Sequence, residues 1–274
     1  MMLKPMSFHV RHDLLPSLTY ELLNLFLSQP LGQTEEELTR SANMHGLRLR
    51  GRKDYSKLIR SLRELEILYE DNNRFFLTGR GQVISRLIQY QRDLLADFIH
   101  FLYYSSFDLE PNKRFSWSYQ MVCDALWFAA PGVINRDRLV NYVAREATNV
   151  FGENGISFST SSVSGIVNWL VDMVPNCITV HGTEQYFVRR EYCSVELFIL
   201  ALNHGYRKRN SSDQSQIMVD NSFRDEVCRL CLINPERFLE MLSLAESSFT
   251  CIDVRRERGD RISVAKFDWS MLES

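Results

Sequence analysis

"RLRGRKDYSKLIRSLRELEILYEDNNRFFLTGRGQ", Arg48 to Gln82, decides how this chain is read. After Asp54, a good helix N-cap, Tyr55, Leu58, Ile59, Leu62 and Leu65 recur at helical spacing and predict a helix with one apolar stripe. Two short apolar and aromatic runs follow, Ile67 to Tyr69 and Phe75 to Leu77. The "EDNNR" between them is rich in Asp and Asn, which tolerate the left-handed backbone of a tight turn, so the pair predicts a β-hairpin. Thr78-Gly79-Arg80-Gly81 then turns the chain into a further helical stretch, apolar to about Phe107.

Two more helices precede this stretch. "LLPSLTYELLNLFL", Leu14 to Leu27, has helical periodicity and ends at Gln29-Pro30-Leu31-Gly32. In "TEEELTRSANM" Thr34 and Glu37 have the spacing of a capping box, which predicts a helix from Glu35 to about Met44. The order is three helices and a hairpin. That order, and the words "LRELEILYEDNNRFFLTGRGQ" in particular, resemble the winged helix-turn-helix superfamily, in which the third helix is followed by a two-stranded wing and a threonine-glycine turn into a long helix. The resemblance implies a first domain over residues 14–107.

A similar element order returns. "NRDRLVNYVAREATNVFG" reads as a helix capped by Asn135, "SSVSGIVNWLVDMV" as a second helix, "CITVHGTEQYFVRRE" as a hairpin turning at His181-Gly182-Thr183, and "SVELFILALNHGYR" as the helix after it. No letter-by-letter repeat accompanies this, so the likeness is one of element order, over residues 116–206. "RKRNSSDQSQ" is polar and serine-rich, and 207–221 is expected to be a linker. Residues 222–274 read as two helices and a hairpin around Glu257-Arg258-Gly259-Asp260, which suggests a third, truncated unit. The expected fold class is mainly α with short β-hairpins (α+β), as tandem winged-helix domains.

Charge is informative only once it is located. The 274-residue chain has a formal net charge of -2, yet between Leu47 and Arg63 seven basic residues face one acid, Asp54, a local +6 that leaves -8 for the rest. On a helical wheel at about 100° per residue, Lys57, Arg60, Ser61 and Glu64 fall opposite the apolar stripe. Arg52 and Lys53 sit just before the helix, and Arg48 and Arg50 lie in the preceding turn. Arginine can donate two parallel bonds to guanine, and lysines and amides near a helix start hold phosphates. Arg48, Arg50, Arg52, Lys53, Lys57, Arg60 and Ser61, with Arg74 and Arg80 around the hairpin, are the expected DNA-contacting set. The same residue types also suit a solvated face, with Glu64 and Glu66 pairing to Arg60 and Arg63.

The corresponding helix of the second unit carries Ser164, Gly165, Asn168 and Asp172 opposite its apolar stripe and no base. Arg189 and Arg190 follow its hairpin. The last hairpin carries Arg255, Arg256, Arg258 and Arg261, diluted by Glu257 and Asp260. "FSWSYQMVCDALWFAA" and "FIHFLYYSSF" have the spacing of core or interface helices rather than of a base-stacking platform.

Other chemistries find little support. The six cysteines are scattered among apolar neighbours, as reduced core thiols are, and Cys228 and Cys231 lack the partners of a zinc site. His9 and His12 are close together, but near a terminus expected to be mobile. There is no phosphate-cradling glycine loop with lysine and no GxSxG; Asp253 and Glu257 lack a catalytic lysine. No enzyme activity, cofactor or metal is expected. Neither a signal peptide nor an apolar run of about 18 residues is apparent, so a cytoplasmic protein without a membrane partner is expected.

Two functions remain. One is a non-catalytic DNA-binding protein, a subunit of a DNA-handling or defence complex, with double-stranded DNA and a larger ATPase or nuclease subunit as partners. The other is a protein-protein scaffold: the tandem arrangement is similar to the KITE-type subunits of SMC complexes and to the winged-helix middle components of SMC-like bacterial defence systems. A homodimer is compatible with either.

Overall fold

The structure is a computed structural model and describes residues 7–11, 14–47, 56–152, 156–209, 215–256 and 259–273. It is mostly helical with small antiparallel sheets, an α+β fold.

The first group of elements is α1 (Pro16–Leu27), α2 (Glu35–Met44), α3 (Ser56–Glu64), β1 (Leu68–Asp71) and β2 (Arg74–Leu77). Pro16 stands in the first turn of α1, where its missing N–H costs nothing. The capping box of α2 is present: the Glu37 N–H donates to Thr34 Oγ1 at 3.2 Å and the Thr34 N–H to Glu37 Oε2 at 3.0 Å. Asn72 and Asn73 have φ of +48° and +62°, the two left-handed residues of a tight hairpin turn. Gln33, between α1 and α2, pairs with Phe75 and supplies a third edge to this sheet.

α4 (Gly79–Tyr90) begins at Thr78, whose hydroxyl accepts the Gly81 N–H at 3.0 Å. The chain then departs from expectation. The stretch read as one helix to Phe107 is two, because Gln91 leaves the helical conformation and α5 (Leu94–Leu109) starts afresh behind it. Every residue from Leu94 to Ser106 is buried. A helix apolar on all sides belongs inside a protein, and α5 runs through the middle of this one.

The second group is α6 (Arg114–Phe128), β3 (Gly132–Val133), α7 (Arg136–Phe151), α8 (Thr160–Val171), β4 (Ile178–His181) and β5 (Glu184–Phe187), with sheet order β3-β5-β4. Then comes α9 (Val195–Arg209), which leads into β6 (Ile217–Met218), α10 (Asn221–Cys231), α11 (Phe238–Ser248), β7 (Ile252–Arg255) and β8 (Arg261–Val264), order β6-β8-β7. The order helix, short strand, helix, helix, hairpin thus occurs twice with a strand and once, in the first group, with the single bridging residue Gln33. The stretch 207–221 is therefore not a plain linker: residues 207–209 complete α9, 217–218 form a strand, and Asp220 caps α10 through the Phe223 N–H at 2.7 Å.

α5 joins the groups by hydrogen bonds as well as packing. The fully buried Arg190 guanidinium meets Asp97 of α5 at 2.8 Å, and the Val174 carbonyl accepts from it at 2.5 Å. The second Asp97 oxygen accepts the Ser194 N–H at 3.3 Å. The Arg190 N–H donates to the Leu232 carbonyl at 2.8 Å, and the Asn234 N–H to the Arg190 carbonyl at 2.9 Å, so one residue touches α5 and both later groups. A paired buried charge of this kind gives geometry more than net stability, but losing one partner leaves the other stranded.

Both ends of the described chain are drawn inward. Phe8 and Val10 are buried, and His9 meets Ser162 Oγ at 2.7 Å, so residues 7–11 are packed where a mobile terminus was expected. At the other end Trp269 packs on Phe98 and Phe101 of α5, and Glu273 accepts from Arg86 of α4 at 2.5 and 2.9 Å.

Candidate nucleic-acid interface

α3 buries Leu58, Ile59, Ser61 and Leu62. Ser61 was expected on the outer face, but it lies only about 60° round the wheel from Leu58. It is 1 % exposed, and its hydroxyl is satisfied by donating to the Lys57 carbonyl at 3.0 Å. It is a core residue. Lys57 and Arg60 do face outward, and the Arg60 side chain is 66 % exposed.

The acids around α3 occupy part of this charge. Arg60 Nε donates to Glu64 Oε1 at 3.0 Å, while the other Glu64 oxygen meets Arg11 at 3.5 Å. Arg63 pairs with Glu70 of β1 at 2.7 Å, with its guanidinium 5.8 Å from the Phe75 ring centroid. These surface pairs stabilise by about 1 kcal/mol or less, so a phosphate can compete for the arginines. Lys57 has no ion pair among the described residues.

Two of the other expected contacts are committed elsewhere. Arg74 donates to the carbonyls of Leu31 at 3.2 Å and Gly32 at 2.8 Å and to Glu37 at 2.8 Å, which clamps the hairpin to the start of α2. The Thr34 N–H above all, with Arg74 beside it, holds the Glu37 carboxyl below its usual range. Arg80 is largely buried: it lies 3.5 Å from Glu66 and 5.2 Å from the Trp269 ring centroid, and burial lowers its pKa. Burial would raise the Glu66 carboxyl, but Lys113 and Arg80 outweigh it and hold it low. Arg48, Arg50, Arg52 and Lys53 lie outside the described residues.

The space between α3 and β1 is an open groove of about 510 Å³, walled by Arg60, Arg63, Glu64, Leu68, Tyr69 and Glu70, so its two guanidiniums stand beside two carboxylates. On the other side of Tyr69 a second hollow, about 270 Å³, opens toward Phe76, Gln29, Gln82 and Arg86. Sequence reading passed over Tyr69, because an aromatic in a short strand run looks like any other core residue until the register is known.

The equivalent surfaces elsewhere differ. α8 is buried along most of its length between α7, α6 and α5, including Gly165, which was expected on its outer face. Arg190 is inside the protein, and Arg189 lies 4.3 Å from the Trp127 ring centroid with its Nε donating to the Trp127 carbonyl at 3.1 Å. The outer face of α11 shows Leu239, Glu240, Ser243 and Leu244. On the last hairpin Arg255 pairs with Asp253 at 3.3 Å and Arg256 with Glu246 of α11 at 2.7 Å; Glu257 and Arg258 lie outside the described residues.

All six cysteines are free and buried; burial pushes the Cys177 and Cys228 thiols up to about 12. Among the described residues no group of three or more His, Cys, Asp or Glu is placed to hold a metal ion, and no helix is long and apolar enough to cross a membrane.

No family model and no curated protein matches the chain. Two solved structures do. A magnesium ion-bound crystal structure of SspB is similar with a TM-score of 0.61 at 14% identity, over 96% of this chain and 88% of that one. The likeness is one of fold. A second SspB crystal structure is similar with a TM-score of 0.60 at 13% identity, over 97% of this chain and 88% of that one.

Proposed function

We propose that this chain is a non-catalytic DNA-contacting protein built from winged-helix units, and a subunit of a DNA-handling or defence complex. In this reading each helix, strand, helix, helix and hairpin group is a winged helix, α3 is the DNA-facing helix and β1–β2 its wing. One observation carries the proposal. Of the three helices that precede a hairpin, α3 alone has a cationic outer face exposed to solvent; α8 is largely buried and carries no base, and α11 presents leucine, serine and glutamate. The run Arg48, Arg50, Arg52 and Lys53 leads into that face in sequence. Similarity to SspB over nearly the whole chain supports the architecture.

The test is binding to a labelled duplex across a salt series from about 50 to 200 mM. With about six phosphates neutralised, log affinity falls against log salt with a slope of roughly -5. The double variant Lys57→Glu, Arg60→Glu removes binding while leaving circular dichroism unchanged, because both side chains are off the core. Binding that is equal in the double variant and the parent refutes the assignment.

The scaffold reading is favoured by a different observation, the exposed Leu239 and Leu244 on the outer face of α11. A partner subunit held there is compatible with DNA held at α3, and co-purification that survives the double charge reversal but not Leu239→Asp with Leu244→Asp assigns the two surfaces separately.

A further inference from the structure

We propose that Tyr69 is a stacking platform for an unpaired base beside a duplex, at a tail, gap or flap. This deepens, and rests on, the reading of α3 and its hairpin as the DNA-contacting surface.

Tyr69 and Phe76 are directly opposite in the β1–β2 register, their rings stacked at 5.3 Å between centroids and 20° between planes. Phe76 is itself seated. It presses on the bare α-carbon of Gly32, where φ is +72° and a Cβ would fall 2.5 Å from the ring. Gly32 is held in turn by Arg74, so the base of the stack is fixed before any ligand arrives. Its outer member is not covered: Tyr69 is 48% exposed and borders both hollows.

A cross-strand aromatic pair also strengthens a hairpin, so the other two hairpins serve as internal controls. At the matching second pair of each register stand Thr179 with Tyr186 and Asp253 with Ser263. Hairpins with strands of the same four-residue length form in this protein without two stacked rings, the second with His181 edge-on to Tyr186 at 5.3 Å between centroids. The pair in the first hairpin, beside the cationic helix, therefore asks for a further role.

The surroundings select the ligand. A half-open ring on a rigid stack accepts a second flat π surface. Arg60 and Arg63 on one flank are paired with Glu64 and Glu70, which line the same groove, and Arg86 on the other with Glu273; these surface pairs are weak, so each guanidinium can exchange its carboxylate for a phosphate next to that ring. The Gln29 and Gln82 side chains in the smaller hollow can donate and accept along the edge of a planar ring. A nucleobase with its phosphates has all three properties. Bases inside a duplex are already stacked on both faces, which leaves an unpaired one as the occupant.

The experiment compares a blunt duplex with the same duplex carrying a short single-stranded tail whose first unpaired position is 2-aminopurine. The full chain is expected to bind the tailed DNA about tenfold more tightly, since base-aromatic stacking is of that order, and to quench the fluorophore on binding. Tyr69→Ala and Tyr69→Leu lose the preference for the tailed DNA over the blunt duplex and the quench, whereas Tyr69→Phe keeps both. Equal affinity for tailed and blunt DNA, or quenching that survives Tyr69→Leu, overturns the stacking platform and leaves the duplex-binding proposal standing. Binding to neither DNA overturns both.

Discussion

Lowering the pH from 7.5 to 5 is expected to destabilise this protein through one buried histidine. His100 of α5 is 0% exposed. Its Nε2 is 2.6 Å from the Leu230 carbonyl, which can only accept, so that nitrogen carries the proton; Nδ1 accepts from the Tyr119 hydroxyl at 2.9 Å. The imidazole is neutral with both nitrogens satisfied. A second proton would place a charge inside the core. Burial pushes its pKa down from 6.5 to about 4, against smaller opposing effects of the Leu230 carbonyl and Asp97. The unfolded chain therefore binds the proton first as pH falls, and stability present above about pH 6.5 is lost between there and about 4. The slope is at most about 1.4 kcal/mol per pH unit, and the loss by pH 5 is about 2 kcal/mol. Against a total of roughly 5 to 15 kcal/mol that is measurable. Urea denaturation at pH 7.5 and 5 reads it as a drop in midpoint. His100→Gln can donate to Leu230 and accept from Tyr119 without titrating, so it flattens this part of the profile. If parent and variant lose the same stability over this range, the assignment of the slope to His100 is wrong.

Other perturbations test the packing. Arg190→Met leaves Asp97 buried without its partner and is expected to cost about 3 to 5 kcal/mol, whereas the double change with Asp97→Leu recovers much of it; thermal melts of the three variants decide this. Gly81→Ala places a methyl 2.2 Å from the Ile67 carbonyl oxygen and is expected to lose about 1 to 3 kcal/mol. Gly79→Ala, two residues earlier, meets nothing within 4 Å and serves as the control that leaves the urea midpoint unchanged or slightly raised.

What could be read in advance was local. The Thr34-Glu37 capping box, the Asn72-Asn73 turn and the Asn135 cap lie within a few residues of their partners, so spacing alone reveals them. The strands β3 and β6 have two residues each, too few for any alternation to show, and they appear only because β5 and β8 come back to pair with them. The break at Gln91 has no Pro or Gly to announce it. At the candidate site, Lys57 and Arg60 were readable as surface cations. Arg74 and Arg80 were not distinguishable from them, since the carbonyls of Leu31 and Gly32 and the ring of Trp269 are far away in sequence. The burial of Arg190 is hidden in the sequence for the same reason: Asp97, the residue that permits it, is 93 positions earlier.

α9 closes the second group of elements and opens the third, and it is packed against α5, α10 and α11. A helix held in common leaves no joint between its owners. The hairpin ahead of it is joined to α9 by residues 188–194, while α9 itself packs directly on α10 and α11, so a displacement of α9 reaches both helices without passing through a loop. Whatever moves α9 is felt at α10 and α11 as through a shaft rather than a tether.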